Sequence, residues 1–267
     1  MSETVWITGA SSGIGEALAR GWAKRGAALI LSGRRVDALD AVAAACGGET
    51  LVLPFEATDI DALPGIVAQA EAWRGGIDVL VNNAGISQRS LARDTAFSVY
   101  REIMEIDFFG PLALAQAVLP GMRARGTGHL IAMSSLAGKA GSPLRTGYCA
   151  AKHALIGYHD ALRGEVAHEG IRVTVVTPGF VRTPIATRAL TGDGSQRGRS
   201  DANIDAGITP DEAAEQIFAG LDAGQREIPV GRGPEMALLH LVRHHPDRLF
   251  DLMAEQGHAI ATAAVLP

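Results

Sequence analysis

Tyr148 and Lys152 stand four residues apart, a spacing that puts a phenol and an ammonium on one face of a helix. A free phenol titrates near pH 10 and is a poor general base in neutral water. A cation at about 4 Å and an effective dielectric of about 20 adds a Coulomb term of about 4 kcal/mol, enough to make phenolate accessible near neutrality. The pair could then pass a proton to or from a substrate oxygen. A lone pair of this kind is common by chance, so its meaning depends on its company. Arg145, three residues earlier, could meet an anion, with a surface position as the plainer expectation.

A second chemical signal lies near the N-terminus, where Thr8-Gly9-Ala10-Ser11-Ser12-Gly13-Ile14-Gly15 follows an apolar run and opens a helical pattern. Glycines let the backbone approach a pyrophosphate, and the free N–H groups of the helix start supply positive potential. The spacing is G-x-x-x-G-x-G, not the commoner G-x-G-x-x-G. The same residues satisfy the nucleophile-elbow pattern G-x-S-x-G of α/β-hydrolases, but such an elbow follows several strands and only ten residues precede Ser11. At the end of the second apolar run, where an acid would accept from the ribose hydroxyls of NAD, the chain has Arg34 and Arg35. Two guanidiniums there fit a 2′-phosphate, so the expected cofactor is NADP(H) rather than NAD.

These groups need a scaffold, and the periodicity supplies one. Short β-rich runs at 5–8, 28–32, 50–53, 79–81, 129–133, 173–176 and 228–230 alternate with helical patterns at 14–25, 36–45, 60–73, 98–122, 147–168 and 210–223. Runs that are apolar on consecutive residues, such as Leu29-Ile30-Leu31, fit strands covered on both faces. The alternation predicts an α/β fold, a doubly wound, Rossmann-like parallel sheet of about seven strands in a single domain over 1–267. The stretch 180–207 breaks the rhythm and is read as a substrate lid, with a disordered loop as the other possibility. The tail, 234–267, is expected to be partly helical, with an interruption near Pro246.

Composition narrows the classes. With 24 Lys and Arg against 29 Asp and Glu, the net charge of −5 argues against nucleic acid. Cys46 and Cys149 are too few for a secreted disulfide framework, and no signal peptide is read at the N-terminus. No strictly uncharged apolar window reaches the roughly 18 residues of a membrane span; the run at 112–119 stops short of Arg123 and Arg125. A soluble, cytoplasmic protein is expected.

In its ordered set of motifs the chain resembles a short-chain dehydrogenase/reductase. The set comprises the glycine turn, Asn82-Asn83-Ala84-Gly85 after the fourth strand, Ser134-Ser135 after the fifth, Tyr148 to Lys152, and Pro178-Gly179 after the sixth. Local text around Ser134 to Lys139 and Phe109-Gly110-Pro111 is most similar to the carbonyl-reductase and hydroxysteroid-dehydrogenase-like branch. The resemblance implies an NADP-dependent oxidoreductase that interconverts a ketone or aldehyde with its alcohol, acting on CH–OH. Ser135 would then donate to the substrate oxygen, with Ser134 structural. Tyr148 would be the acid–base, and Lys152 would tune it and bond the nicotinamide ribose. Gly9, Ser11, Ser12, Gly13, Ile14, Gly15, Arg34, Arg35, Glu56, Ala57, Asn83, Ala84, Gly85, Pro178, Gly179, Val181 and Thr183 would hold the cofactor.

Two positions depart from the family pattern. Asp107 stands where a helix Asn usually completes a proton relay, and it can still accept from a water bound to Lys152. Glu56 stands where an Asp commonly meets the adenine amine. The alternative to an enzyme is a catalytically weak NADP(H)-binding sensor or scaffold. His240, His244 and His245 lack the Glu of H-E-x-x-H and are read as a solvated face, so no metal is expected. Small residues at Ala150, Ala151, Ala154, Gly157 and Ala161 would admit another helix, and the family often assembles there, so a homodimer or homotetramer is expected. Substrate would touch Leu136, Ser142, Leu144, Phe180, Ile185 and the lid; its identity is open.

Overall fold

The computed structural model describes residues 2–263. Seven strands form one sheet, β1 (Thr4–Thr8), β2 (Ala28–Ser32), β3 (Thr50–Val52), β4 (Val79–Asn82), β5 (Gly128–Met133), β6 (Ile171–Pro178) and β7 (Glu227–Val230). Every neighbouring pair is parallel, in the order β3-β2-β1-β4-β5-β6-β7. The principal helices are α1 (Gly13–Lys24), α2 (Val36–Cys46), α3 (Leu63–Arg74), α4 (Phe97–Met104), α5 (Gly110–Arg125), α6 (Thr146–Val166), α7 (Ala202–Asp205), α8 (Pro210–Asp222), α9 (Ala237–His244) and α10 (Pro246–Ala263). The expected Rossmann-like α/β fold is therefore present.

Strand alternation builds two cores. Val5, Ile7, Leu29 and Leu31 face Ala17, Leu18, Leu39, Ile217 and Phe218 of α1, α2 and α8. Trp6, Ile30, Leu80 and Leu130 face Val67, Leu114, Val118, Met122 and Leu162 of α3, α5 and α6. Burial of each such large side chain is worth about 1.5–3 kcal/mol. Coverage of both faces explains why the strands read as unbroken apolar runs.

The differences from expectation have local causes. β6 runs well beyond 173–176 because Ile171 pairs with Gly128 at one end and Pro178 pairs with Val230 at the other. The helix expected at 98–122 is 97–125, and it contains a π-helical turn, Glu105–Phe109, at the position of Asp107. Phe97–Arg125 is thus 29 continuous helical residues whose length and composition would suffice to cross a membrane, with a mean hydropathy of 1.3 over one window. Here its buried Val99, Ile103, Leu114, Val118 and Met122 pack into the protein's cores. The 180–207 stretch is ordered by bridges from Val181 to Ile208 and from Leu190 to Gln88 and Gln196, so the disordered-loop possibility falls away. The tail is helical with a break at His245, as the Pro246 signal required; residues 264–267 lie outside the described residues.

Candidate active site

Strand order reverses direction between β1 and β4, and the loops leaving their carboxyl ends bound a crevice. Thr8 ties these loops together. Its Oγ1 accepts from the backbone N–H groups of Asn83 and Ala84, each at 3.0 Å, and Asn83 Nδ2 donates to Thr8 O at 2.9 Å. Gly9 has φ +64°, and a Cβ added there would stand 2.8 Å from Ala84 Cα. At Gly15 an added Cβ would collide with Gly9 O. The glycines are therefore demanded by the close approach of two loops as well as by the turn.

Above the crevice is a cavity of about 580 Å³. Of the residues singled out from the sequence, Gly9, Ser11, Ser12, Gly13, Ile14, Arg34, Arg35, Glu56, Ala57, Asn83, Ala84, Gly85, Ser135, Tyr148, Lys152, Pro178, Gly179, Val181 and Thr183 line it. Gly15 and Asp107 do not: the first packs beneath Gly9 and the second beneath Lys152. Arg35 Nη2 donates to Ser11 Oγ at 2.9 Å and Ser12 Oγ at 3.0 Å, bracing the glycine turn. Arg34 is largely exposed, its Nη1 3.8 Å from Glu56 Oε2. Glu56 therefore faces a guanidinium, a partner not foreseen for it.

The reacting groups come from β5, α6 and the π-helical turn. Ser135 follows β5 with its Oγ accepting from Ala137 N at 3.1 Å and donating to Pro178 O at 3.4 Å. Ser134 Oγ instead donates to Lys152 O at 3.1 Å, a structural bond. On α6, Lys152 Nζ lies 5.7 Å from the Tyr148 ring centre and donates to Met133 O at 3.1 Å. Asp107 Oδ2 is 3.3 Å from that nitrogen, so the carboxylate meets the ammonium directly rather than through the expected water. Ile86 N donates to Asp107 Oδ1 at 2.8 Å. A π-helical turn, frequent at functional sites, carries this residue under the lysine.

Electrostatics follow from burial. Desolvation pushes the Asp107 carboxyl above the ordinary carboxylate value, with Lys152 and the Ile86 N–H pulling the other way. Burial pulls the Lys152 ammonium down, and the Asp107 charge and the Tyr148 phenol more than offset it, leaving it above its usual value. Gly85 makes room for the pair: a Cβ there would lie 3.2 Å from Asp107 Oδ1 and 3.3 Å from Lys152 Nζ.

Several residues at the site carried no sequence signal. Buried Gln88 accepts from Gly147 N at 2.8 Å and donates to Ser90 and Thr95, which pins the start of α6 and so the position of Tyr148. Arg188 and, from the tail, Leu238, Met253 and Gln256 line the cavity. Leu144 does not line it; instead its φ of +67° turns the chain into α6. Arg145, expected at the surface, lines the cavity with its side chain 19% exposed.

A family model described as short chain dehydrogenase matches residues 3–193. Dehydrogenase/reductase SDR family member 7B of Danio rerio is 38% identical over 265 residues, covering 96% of this chain and 85% of that protein. A metagenomic short-chain oxidoreductase solved with NADP is 30% identical, covers 86% of this chain and 97% of its own, and superposes with a TM-score of 0.71. A short-chain dehydrogenase/reductase from Burkholderia phymatum solved with NAD is 22% identical over 94% of this chain and 95% of its own; its TM-score of 0.80 speaks to the fold.

Proposed function

The chain belongs to the short-chain dehydrogenase family, and from that premise we propose that it is an NADP(H)-dependent oxidoreductase interconverting a ketone or aldehyde and the corresponding alcohol. The observation that carries this is the convergence of Ser135, Tyr148 and Lys152 on one cavity with the glycine turn at its other wall. The crevice fits a dinucleotide because the glycine turn that leads from β1 into the N-terminus of α1 lines the cavity together with Asn83, Ala84 and Gly85, where backbone N–H groups and the helix dipole favour a pyrophosphate. Gly9, Ser11, Ser12, Gly13 and Ile14 would form the phosphate cradle, with Gly15 packed beneath Gly9 in support, Asn83, Ala84 and Gly85 would flank the ribose, and Pro178, Gly179, Val181 and Thr183 would meet the nicotinamide end. Ala57 and Glu56 would border the adenine. Bound there, the reduced cofactor would supply a hydride, one proton with two electrons, for the carbonyl carbon.

The protein's own residues handle the oxygen. Ser135 donates a hydrogen bond to it, and Tyr148 gives its proton as the alcohol forms and recovers it in the reverse direction. Lys152 stabilises the phenolate left behind. Asp107 sets how much of that ammonium's field reaches the phenol. Preference for NADP rests on Arg34 and Arg35, with no acid on the β2 end to receive ribose hydroxyls. Residues 180–207 act as the lid of one catalytic domain. Exposed Ala150, Gly157 and Ala161 on α6, with Phe97 71% exposed on α4, support a homo-oligomer built on those helices. The two free cysteines suit a cytoplasmic setting.

A second reading, a catalytically weak NADP(H) sensor or scaffold, has one observation in its favour: the buried Asp107 carboxylate opposes the lysine that should activate Tyr148. Initial rates of NADPH and NADH oxidation against aldehydes, ketones and steroids, with the reverse reaction on alcohols, separate the two. Turnover with at least one carbonyl and a preference for NADPH is expected. Cofactor binding without turnover across the panel would favour the sensor.

A further inference from the structure

Three guanidiniums surround a single carboxylate beside the cavity. Arg89 donates from Nε to Asp201 Oδ2 at 2.7 Å, with its Nη2 2.6 Å from the same oxygen, and Arg197 pairs with Asp201 Oδ1. Arg89 Nη1 is also engaged, by Ser87 Oγ at 2.8 Å and Gln88 O at 2.6 Å. Arg145 is different. Its Nη2 is 3.6 Å from Asp201 Oδ2, and among the described residues its guanidinium makes no hydrogen bond. No other carboxylate lies within 4.0 Å of its nitrogens among those residues. A planar fork of five donors, four-fifths buried, is therefore left to be satisfied from the cavity side.

The arrangement is directional. Arg145 and Arg89 line the cavity, whereas Asp201 and Arg197 do not, so at this point the wall presents the guanidiniums and not their shared carboxylate. Burial and the like charge of Arg89 disfavour the charged form of Arg145, and Asp201, shared with two other guanidiniums, and the nearby Tyr148 only partly offset them. The backbone that carries Arg145 is also held in place. Leu144, the residue before it, keeps a left-handed φ of +67°, its carbonyl accepting from Ser90 N at 3.0 Å. Gln88 Oε1 holds Gly147 N just after it. Strain in a bulky residue persists where the surroundings enforce it, and here it aims the next side chain inward. Tyr148 lines the same cavity and lies close enough to interact electrostatically with Arg145, so an anion on the fork would share the cavity with the reacting group.

We propose that Arg145, backed by Arg89, is an anion-recognition site at the substrate end of the cavity, and that the substrate is a carbonyl or alcohol compound carrying a carboxylate or phosphate group. The assignment rests on the oxidoreductase function proposed above. Both anions match the planar fork by the same bidentate chemistry.

Matched pairs test it: a keto acid against its methyl ester, and a hydroxyketone phosphate against its dephosphorylated form, each assayed with NADPH at low ionic strength. The charged member of one pair is expected to have a kcat/KM about tenfold to a hundredfold above its neutral partner, and the pair that shows this identifies the anion. Arg145→Gln should bring the ratio to within about threefold of one, chiefly through KM of the charged member, and Arg145→Lys should retain part of it. A ratio near one in the wild type for both pairs, or a ratio untouched by Arg145→Gln, overturns the assignment. So does an equal loss on both members, which marks a structural arginine. If no compound is turned over, the oxidoreductase function is what fails, and calorimetric titration of the same compounds onto the NADPH-bound protein decides the site separately. Loss of about tenfold or more in affinity for a charged compound on Arg145→Gln supports it; affinities equal for charged and neutral members overturn it.

Discussion

Asp107 Oδ2 and Lys152 Nζ meet at 3.3 Å with the two side chains 0% and 4% exposed, so a fully desolvated carboxylate sits directly under the lysine that faces Tyr148. The ammonium is thereby held in its charged form, while part of its field is cancelled before it reaches the phenol. The π-helical turn at Glu105–Phe109 is what brings the two together.

Replacing Asp107 by Asn removes the opposing charge and keeps the side-chain shape. The full field of Lys152 then favours phenolate, and the rising limb of alcohol oxidation should move toward acid by on the order of one pH unit, with turnover retained. Rate–pH profiles of both proteins measure this. Abolished turnover, or coincident profiles, would count against the role given to Asp107.

Arg34 and Arg35 have separable tasks. Arg34, exposed beside Glu56, is free to meet a 2′-phosphate, so Arg34→Asp should raise KM for NADPH about tenfold or more relative to its effect on KM for NADH. Arg35 braces Ser11 and Ser12, so Arg35→Ala should weaken both cofactors. Equal effects of Arg34→Asp on the two cofactors would remove the ground for NADP preference.

Two buried histidines should weaken the fold at acid pH. Burial, with Arg172 adding to it, holds His129 at about 3, and burial holds His159 at about 4, both below the ordinary value. With the folded values depressed, the stabilisation of the neutral rings is complete above the unfolded value of about 6.5 and is lost as pH falls below it. The unfolded chain then binds protons that the folded chain refuses, at about 1.4 kcal/mol per pH unit for each ring. Chemical denaturation at pH 7.5 and 4.5 should show a smaller loss for His159→Met than for the wild type. Equal losses would show that His159 does not contribute.

The sheet and most of the site were legible because their signals are local. Leu29-Ile30-Leu31 announces a strand covered on both faces, and the glycine spacing announces the tight turn between β1 and α1, though not the packing of Gly9 against Ala84. Arg145 was legible only as a residue that could meet an anion, with the surface as its plainer place, and Gln88 and Met253 not at all, since their positions depend on contacts across the fold: a carboxylate from the 180–207 stretch, the N-terminus of α6, and a tail helix that lines the cavity. Asp107 was flagged as a departure, but its direct contact with Lys152 depends on a π-helical turn that no spacing in Met104 to Gly110 announced.

The most direct test compares Tyr148→Phe with the wild type in two measurements on one preparation, NADPH affinity by fluorescence titration and carbonyl reduction under saturating cofactor. Loss of the hydroxyl alone should lower turnover by about a hundredfold or more while NADPH affinity changes far less. Carbonyl reduction undiminished in Tyr148→Phe would contradict the assignment of proton transfer to this residue.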